Sequence, residues 1–593
     1  MNPTIPHPDD VITLHGLFQA RVQQSPDRPA YRYFHDGDAT WRTLSWREAA
    51  AEVARWRAAL SQEGLSAGER VALMMRNRPE WVFFEQAALS LGLVVVPLYP
   101  NDRGENLRYI LEDAGVRLLL IEGLPQWRAL SDGPPLPEGL RVIALNPPEG
   151  AEVQGVGPWL EAAPASETAF PTLTADDLAT LVYTSGTTGR PKGVMLSHGN
   201  ILHNAYAALQ AEPAREDDLF LSFLPLSHML ERTAGYYLPM AAGACVAFAR
   251  SVLHLAEDLV QVRPTVVILV PRVLERIHGR IDDQLAKKPR PLRALFRLGE
   301  AAGWAHFLRR QGRRHSPLAW LWPLLRDRVS APVLERFGGR VRLAVSGGAP
   351  LPFPVARRFI GLGLPILQGY GLTEASPVVS VNRLDDNRPE SVGPPLPGVE
   401  IRLGPQNELW VRGPSIMQGY WKRPEDTAAV LDAEGWLHTG DQAAVENGHL
   451  RITGRIKEIL VLSNGEKVPP VDIEQALELE PLFEQALVVG DGRPFLTAVL
   501  VVNDDHWREL ATRLALDPEA PESLEDPRVQ REALRRAQAA TRQFPGYARI
   551  RGVVLERRPW TVEDGLLTPT LKLRRGPVIQ RYRAALDRLY ARR

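Results

Sequence analysis

Five short segments carry side chains whose types and spacing suit the chemistry of phosphates and carboxylates. The first, "YTSGTTGRPKG" (Tyr183 to Gly193), gathers Gly186, Gly189 and Gly193 with the hydroxyls of Thr184, Ser185, Thr187 and Thr188, and ends at Lys192. Glycines let backbone N–H groups approach an anion closely, and hydroxyls and a cation complete a phosphate cradle. It is not a Walker A loop, because Pro191 precedes the lysine and Gly193 follows it. A triphosphate is the ligand expected. A flexible linker is the plainer alternative, but "ATLVYT" enters the loop as a strand and "GVMLSHGNILHNAYAAL" leaves towards a helix. In "LQGYGLTEASPVV" (Leu367 to Val379), Tyr370 between Gly369 and Gly371 can offer its ring face to a flat base. Thr373 supplies a hydroxyl for a phosphate, and Glu374 is a hard oxygen ligand suited to Mg²⁺. Alone it reads equally as a Gly-Tyr-Gly turn. In "GWLHTGDQA" (Gly435 to Ala443), Asp441 either accepts hydrogen bonds from both ribose hydroxyls or caps a turn. The last two segments bring cations: Arg455 and Lys457 in "LRITGRIKEILVLSNGEKVPP", and Lys572 in "GLLTPTLKLRR".

These loops need strands and helices to hold them. Runs such as "RVALMM", "LVVVPLY", "TVVILV" and "VRLAVSGG" alternate with helical patterns, which predicts parallel sheets covered by helices. Near Gly393 short strands punctuated by Gly and Pro predict a small antiparallel sheet or distorted barrel. A further αβ pattern begins near Ile456 and Lys457. At 593 residues the chain exceeds one core, so two or more domains are expected. Formal net charge is zero, which gives no global pull towards nucleic acid, and none is expected as a partner. The single Cys245 excludes an intramolecular disulfide framework and fits a reducing, cytoplasmic setting. No signal peptide or membrane-spanning run is seen.

Residues 286–328 stand apart. Eleven Lys or Arg face two acids between Lys287 and Arg328, interleaved with Trp, Leu and Phe. Two readings stay open: an amphipathic surface resting on anionic lipid at the inner face of a membrane, or a helical insertion packed on the body with a solvated basic face.

In this order and at these separations, the five segments resemble the adenylate-forming superfamily of acyl-CoA synthetases, luciferases and peptide-synthetase adenylation domains. The likeness extends over nearly the whole chain, with "FLPLSHMLERTAGYY" and "LAVSGGAPLP" as further matches. It is narrowest towards long-chain fatty acyl-CoA synthetases. The resemblance implies an α/β fold: a large N-terminal domain (1–456) of two doubly wound αβ halves plus a distorted β-barrel, and a small mobile α+β C-terminal domain (457–593) hinged at Lys457. It implies ATP, Mg²⁺ and coenzyme A, with a fatty acid activated as acyl-AMP and passed to the CoA thiol. Another carboxylic acid, or an acyl carrier protein as acceptor, is the alternative; a non-catalytic acyl or nucleotide sensor is a third reading, against which the intact set Lys192, Glu374, Asp441, Arg455 and Lys572 argues.

The resemblance also implies roles. Thr184, Ser185, Gly186, Thr187, Thr188, Gly189 and Lys192 would surround the β/γ-phosphates. Thr373 would contact the α-phosphate, and Glu374, with Thr187, would hold Mg²⁺. Gly347, Gly348 and Ala349 would line the adenine pocket, beside Gln368, Gly369, Tyr370 and Gly371. Asp441 and Arg455 would hold the ribose, and Lys572 would bridge carboxylate and α-phosphate. His228 would position the acyl carboxylate, and Ser463, Asn464 and Gly465 would turn towards CoA. Acyl-tunnel candidates lie on "MLERTAGYYLPM" and near Val345 to Gly348, and Glu231 and Arg232 are open to a structural pairing at the tunnel edge. A homodimer and a monomer both remain open.

Overall fold

Strands β1 (Pro29–His35) and β2 (Thr40–Ser45) form a hairpin, after which the chain leaves their sheet and returns to it only at Leu219. The computed structural model describes residues 5–163, 170–184 and 190–591. The intervening strands build a second sheet: β3 (Arg70–Met74), β4 (Val94–Pro97), β5 (Val116–Ile121), β6 (Arg141–Ala144), β7 (Gln154–Gly155), β8 (Leu178–Thr184) and β9 (Lys192–Ser197). The chain then completes the first sheet with β10 (Leu219–Ser222), β11 (Cys245–Phe248), β12 (Val266–Leu269), β13 (Leu343–Ser346), β14 (Ile366–Gly371) and β15 (Val378–Val381).

The first sheet runs β15-β14-β13-β12-β10-β11-β1-β2, parallel except at its two edges. Its inner strands, such as "VVIL" in β12, are buried on both faces, which is why they read as continuous apolar runs rather than alternating ones. The second sheet runs β8-β4-β3-β5-β6-β7 with β9 antiparallel at one side. One continuous core joins residues of both sheets to the helix Pro79–Ser90, buried all round. Local signals set the helices that position the site. Ser45 with Glu48 and Ser197 with Asn200 form capping boxes that start the helices Trp46–Ser61 and His198–Ala211.

The segment after Gly393 is antiparallel: β16 (Glu400–Leu403), β17 (Glu408–Arg412), β19 (Leu437–Glu446) and β20 (His449–Arg455) form a four-stranded sheet. Between them β18 (Gly419–Tyr420) crosses to pair with β9 of the second sheet. The edge of β20 is tied to the first sheet through 392–395: the Val392 N–H donates to the Leu450 carbonyl, the Leu450 N–H donates to the Gly393 carbonyl, and Ser380 bridges Pro395. From Leu460 onward a second core gathers around the sheet β23 (Phe483–Val489), β24 (Leu496–Val502) and β25 (Ile550–Glu556); the small hairpin β21 (Leu460–Val461)–β22 (Lys467–Val468) precedes it.

The basic segment is helical. The helix Arg290–Arg310 packs one face on the body: a Cβ at Gly303 would lie 1.9 Å from the Gly361 carbonyl, and one at Gly299 would lie 2.7 Å from Val329. Gly299 and Gly303 stand four apart, so they share the face that must approach its neighbours closely. The other side turns outward. After it come the turn Pro317–Leu321 and the helix Trp322–Val329, where Trp320 and Leu324 are 71% and 72% exposed.

Candidate active site

The β8–β9 hairpin folds Lys192 back beside Thr184, its register partner. Ser185, Gly186, Thr187, Thr188 and Gly189 lie outside the described residues. Lys192 forms a 2.8 Å pair with Asp426, and its amine sits 5.2 Å from the centre of the Tyr420 ring. Tyr420 is there because β18 pairs with β9, placing it opposite Val194. Its hydroxyl donates to Glu374 Oε1 at 2.8 Å. Lys192, Tyr420 and Glu374 thus form one line at the end of the second sheet. Neither Tyr420 nor Asp426 stood out in the sequence, since their roles arise from a strand crossing between sheets.

Glu374 and Thr373 occupy the helical turn Thr373–Ala375, directly after β14. Gly371 is required at that strand end, because a Cβ there would lie 2.1 Å from the Pro377 carbonyl oxygen. The backbone N–H of Met417 donates to the Glu374 carbonyl at 2.9 Å, fixing the turn. Gln368 is buried on β14, and its Oε1 lacks a hydrogen-bond partner among the described residues. Gly347, Gly348 and Ala349 follow β13; Gly348 has φ +81°, a conformation glycine adopts without cost. Leu230 lies beneath this loop, 3.3 Å from where a Gly347 Cβ would stand.

Asp441 lies on β19, in register with Arg455 on β20. Arg455 Nε donates to Asp441 Oδ1 at 2.8 Å, and the Tyr370 hydroxyl donates to Oδ2 at 2.6 Å. Asp441 is therefore a strand residue held on both oxygens, not a turn cap. Burial raises the Tyr370 phenol pKa, and the Asp441 charge adds to it. Burial opposes the Arg455 charge, but Asp441 more than offsets it.

Lys572 is set by a tight turn: its N–H donates to Thr568 Oγ1 at 3.0 Å, its carbonyl accepts from the Thr568 N–H at 2.8 Å, and Leu567 bridges Leu573. Lys572 is exposed, and the charges that act on its amine are those of Arg455, Asp441, Glu374 and Glu458. The surrounding protein lowers its pKa, Arg455 adds to that, and the three carboxylates pull the other way. His228 feels the same charge. Burial first and Lys572 second push its imidazole down to about 4. His228 also caps the helix beginning at Met229: its Nδ1 accepts from the Leu230 N–H at 3.2 Å. With Nδ1 so used, the neutral ring carries its proton on Nε2.

The structure does not bring every expected residue to this cleft. Lys457 is exposed in the turn Ile456–Glu458, and Ser463, Asn464 and Gly465 form an exposed turn within the C-terminal unit. The pairing considered for Glu231 with Arg232 is absent. Arg232 turns instead to Glu85, with both side chains fully buried, and Tyr237 and Thr180 complete the network. Glu231 is 1% exposed, and neither carboxyl oxygen meets a partner at hydrogen-bond geometry among the described residues. Burial pushes its acid up to about 8, with the nearby Ser222 hydroxyl easing the charge in part.

Residues 18–421 match the family described as AMP-binding enzyme, and residues 457–593 match the AMP-binding enzyme C-terminal domain. The chain is 32% identical over 599 residues to the long-chain-fatty-acid–CoA ligase FadD15 of Mycobacterium bovis, covering 96% of this chain and 95% of that protein. It is 30% identical to long-chain-fatty-acid–CoA ligase 1 of Homo sapiens, covering 98% of this chain and 87% of that one. Among solved structures, it resembles the adenylation domain of a carboxylate reductase from Mycobacterium chelonae, with TM-score 0.78 and 24% identity over 99% of this chain and 92% of that one. The corresponding domain from Segniliparus rugosus, solved with AMP and a carboxylic acid, gives TM-score 0.74 and 24% identity over 98% and 94%.

Proposed function

The chain belongs to the AMP-binding enzyme family, and from that premise we propose that it is a long-chain fatty acid:CoA ligase working through an acyl-adenylate. The observation that carries the chemistry is the Asp441 carboxylate held by Arg455 at 2.8 Å and by Tyr370 at 2.6 Å, with the charges of Asp441, Arg455 and Glu374 acting on Lys572 of the C-terminal unit. The substrate class is supported by long-chain-fatty-acid–CoA ligases similar over nearly the full chain.

ATP binds with its adenine against Tyr370 and the Gly347–Ala349 loop, flanked by Gln368, Gly369 and Gly371, and with its ribose hydroxyls on Asp441. Arg455 and Tyr370 fix that carboxylate in advance. Thr184 to Gly189 and Lys192 hold the β- and γ-phosphates. The Lys192–Asp426 pair is more than a third exposed on both sides; such pairs contribute at most about 1 kcal/mol, so a phosphate can displace Asp426. Mg²⁺ fits one carboxylate plus phosphate oxygens and water, the set that Glu374, bonded to Tyr420 next to Lys192, would complete with ATP. When bound it neutralises phosphate charge.

In the first step a carboxylate oxygen of the fatty acid attacks the α-phosphorus. The C–O–P bond forms, the α–β P–O bond breaks, and pyrophosphate leaves. Thr373 contacts the α-phosphate, and Lys572 offsets the repulsion of two anions brought together. His228 donates from Nε2 and so orients the acyl oxygen; its lone pair at Nδ1 is already taken by Leu230. In the second step the CoA sulfur, having lost its proton, attacks the acyl carbon, and AMP leaves with the bonding electrons. We place the hinge at Lys457, between domains 1–456 and 457–593, so that rotation exchanges Lys572 for the turn Ser463–Gly465 on the CoA side.

The partner surface extends to lipid. The outward face of 318–324, with Leu318, Trp320, Leu321 and Leu324 exposed and arginines around it, suits an anionic membrane. No helix among the described residues is long and apolar enough to cross one.

An acyl-chain panel with ATP and CoA tests the assignment. Each buried methylene contributes about 0.8 kcal/mol, so kcat/KM should rise steeply between about eight and about sixteen carbons. A flat profile overturns the chain-length assignment, and AMP release that ignores CoA overturns the acceptor.

A further inference from the structure

The C-terminal unit touches the N-terminal body through the helix Pro470–Glu478. Gln475 Nε2 donates to the Pro350 carbonyl at 2.8 Å. Arg272 Nη1 donates to Glu478 Oε2 at 2.9 Å, and its other terminal nitrogen donates to the Glu484 carbonyl. Glu478 is aimed by its own unit, since Oε1 accepts from the Ala486 N–H at 3.2 Å. These contacts fall beside the nucleotide loop. Arg272 leaves β12 at the edge where Gly347 leaves β13, and the Gly347 N–H donates to Leu269 at 3.1 Å. Pro350 directly follows Ala349.

The same helix also holds the Lys572 segment. Glu474, one turn before Glu478 and on the same face, pairs with Arg575 at 2.7 Å and accepts from the Val488 N–H at 2.7 Å. Arg575 Nη2 donates in turn to the Val488 carbonyl at 2.7 Å. Arg575 stands three residues after Lys572 and opens the last helix. Two ion pairs, Arg272–Glu478 and Glu474–Arg575, joined by one turn of this helix, therefore lead from the N-terminal body to the turn that presents Lys572.

We propose that this line positions Lys572 for acyl-adenylate formation: Arg272 and Glu478 select the docked orientation, and Glu474 and Arg575 transmit it to the Lys572 turn. The inference rests on the adenylation role proposed for Lys572. All four are positioning residues, remote from the reacting atoms. The pair Arg272–Glu478 exists only while the two units are docked this way, so it should serve the first half-reaction and not the second.

The test separates the half-reactions in full-length Arg272→Ala, Glu478→Ala and the double variant, with Lys572→Ala as reference. Acyl-AMP formation, read as pyrophosphate release without CoA, should fall about 10- to 100-fold in each single variant, the scale of a misplaced catalytic group. Thioester formation from supplied acyl-AMP and CoA should stay within about two-fold of the parent or rise, since release of the dock frees the other orientation. The double variant should be no worse than either single one, and Arg272→Lys should recover part of the loss. Equal losses in both half-reactions, multiplicative losses in the double variant, or unchanged adenylation would each overturn the proposal. Arg272→Gln, which keeps the side-chain stem, repeats the measurement if the alanine variant does not fold. Intact adenylation in Lys572→Ala would instead remove the role of Lys572. A defect in Lys572→Ala with none in the Arg272 and Glu478 variants would remove the line alone.

Discussion

The Tyr370 hydroxyl and the Asp441 carboxylate share a 2.6 Å hydrogen bond across 71 residues of chain. With Arg455 on the opposite oxygen, Asp441 is fixed before any ribose arrives. Fixing a ligand-binding carboxylate in advance lowers the ordering cost of binding. Tyr370→Phe keeps the ring and removes only this bond. A charge-assisted bond of this kind is worth about 1.5–3 kcal/mol, so KM for ATP should rise by about ten-fold or more while kcat changes less. Initial-rate kinetics over ATP concentration check it; an unchanged KM would mean that Arg455 alone suffices.

The charge of Lys572 adds to burial in holding the His228 imidazole neutral. Lys572→Ala should block acyl-AMP formation and largely spare thioester formation from supplied acyl-AMP. His228→Asn, which keeps a side-chain acceptor and a donor, should retain more activity than His228→Ala. If His228→Ala abolishes only the CoA step, the positioning role fails and a base is required.

Two buried glutamates should respond oppositely to substitution. Glu85 neutralises Arg232 with both side chains fully buried, so Glu85→Ala leaves an uncompensated cation and should cost about 3–5 kcal/mol. Glu231 has no partner at hydrogen-bond geometry among the described residues and is pushed towards its neutral form. Glu231→Gln should therefore be within about 1 kcal/mol of the parent at pH 7. Denaturant unfolding distinguishes them, and equal losses would refute the contrast.

His15 and His198 give the fold an acid sensitivity. Burial lowers both imidazoles from the ordinary 6.5 to about 4. Arg57 depresses His15 further while Gln86 opposes, and Asp177 raises His198 while His15 lowers it. The unfolded chain then binds more protons between these values. Their contribution is complete above pH 6.5 and is lost as pH falls towards 4. The loss is on the order of a few kcal/mol. Glu231, raised to about 8, acts in the opposite sense as pH rises. A His15→Gln, His198→Asn double variant should show a shallower fall of Tm between pH 6.5 and 4 than the parent, and an identical slope would exclude these groups.

Replacing Trp320 and Leu324 by Ser and the exposed arginines Arg310, Arg314 and Arg326 by Gln should weaken sedimentation with anionic vesicles and leave neutral vesicles unaffected. Each basic group near an anionic surface contributes about 1 kcal/mol, so the loss should be large and salt-sensitive. Unchanged sedimentation would leave the segment as a packed insertion alone.

The sequence by itself determined the parallel αβ halves and the antiparallel element after Gly393, and it offered candidates for the site without Tyr420 or Asp426 among them. Those signals are local: buried parallel strands are apolar throughout, and phosphate loops need glycine and hydroxyls in a few consecutive positions. It also marked Lys572, through the order of motifs rather than any feature of its own turn. Only the tertiary structure decided who pairs with whom. Arg232 chose Glu85, 147 positions away, over its neighbour Glu231, and Lys192 met Asp426 because β18 crosses to β9. Arg272 reached Glu478 across the two units. Residues 231 and 232 are adjacent on a helix and point in different directions, so adjacency cannot pair them. Partners across such distances are set by sheet order and docking, which no local period records.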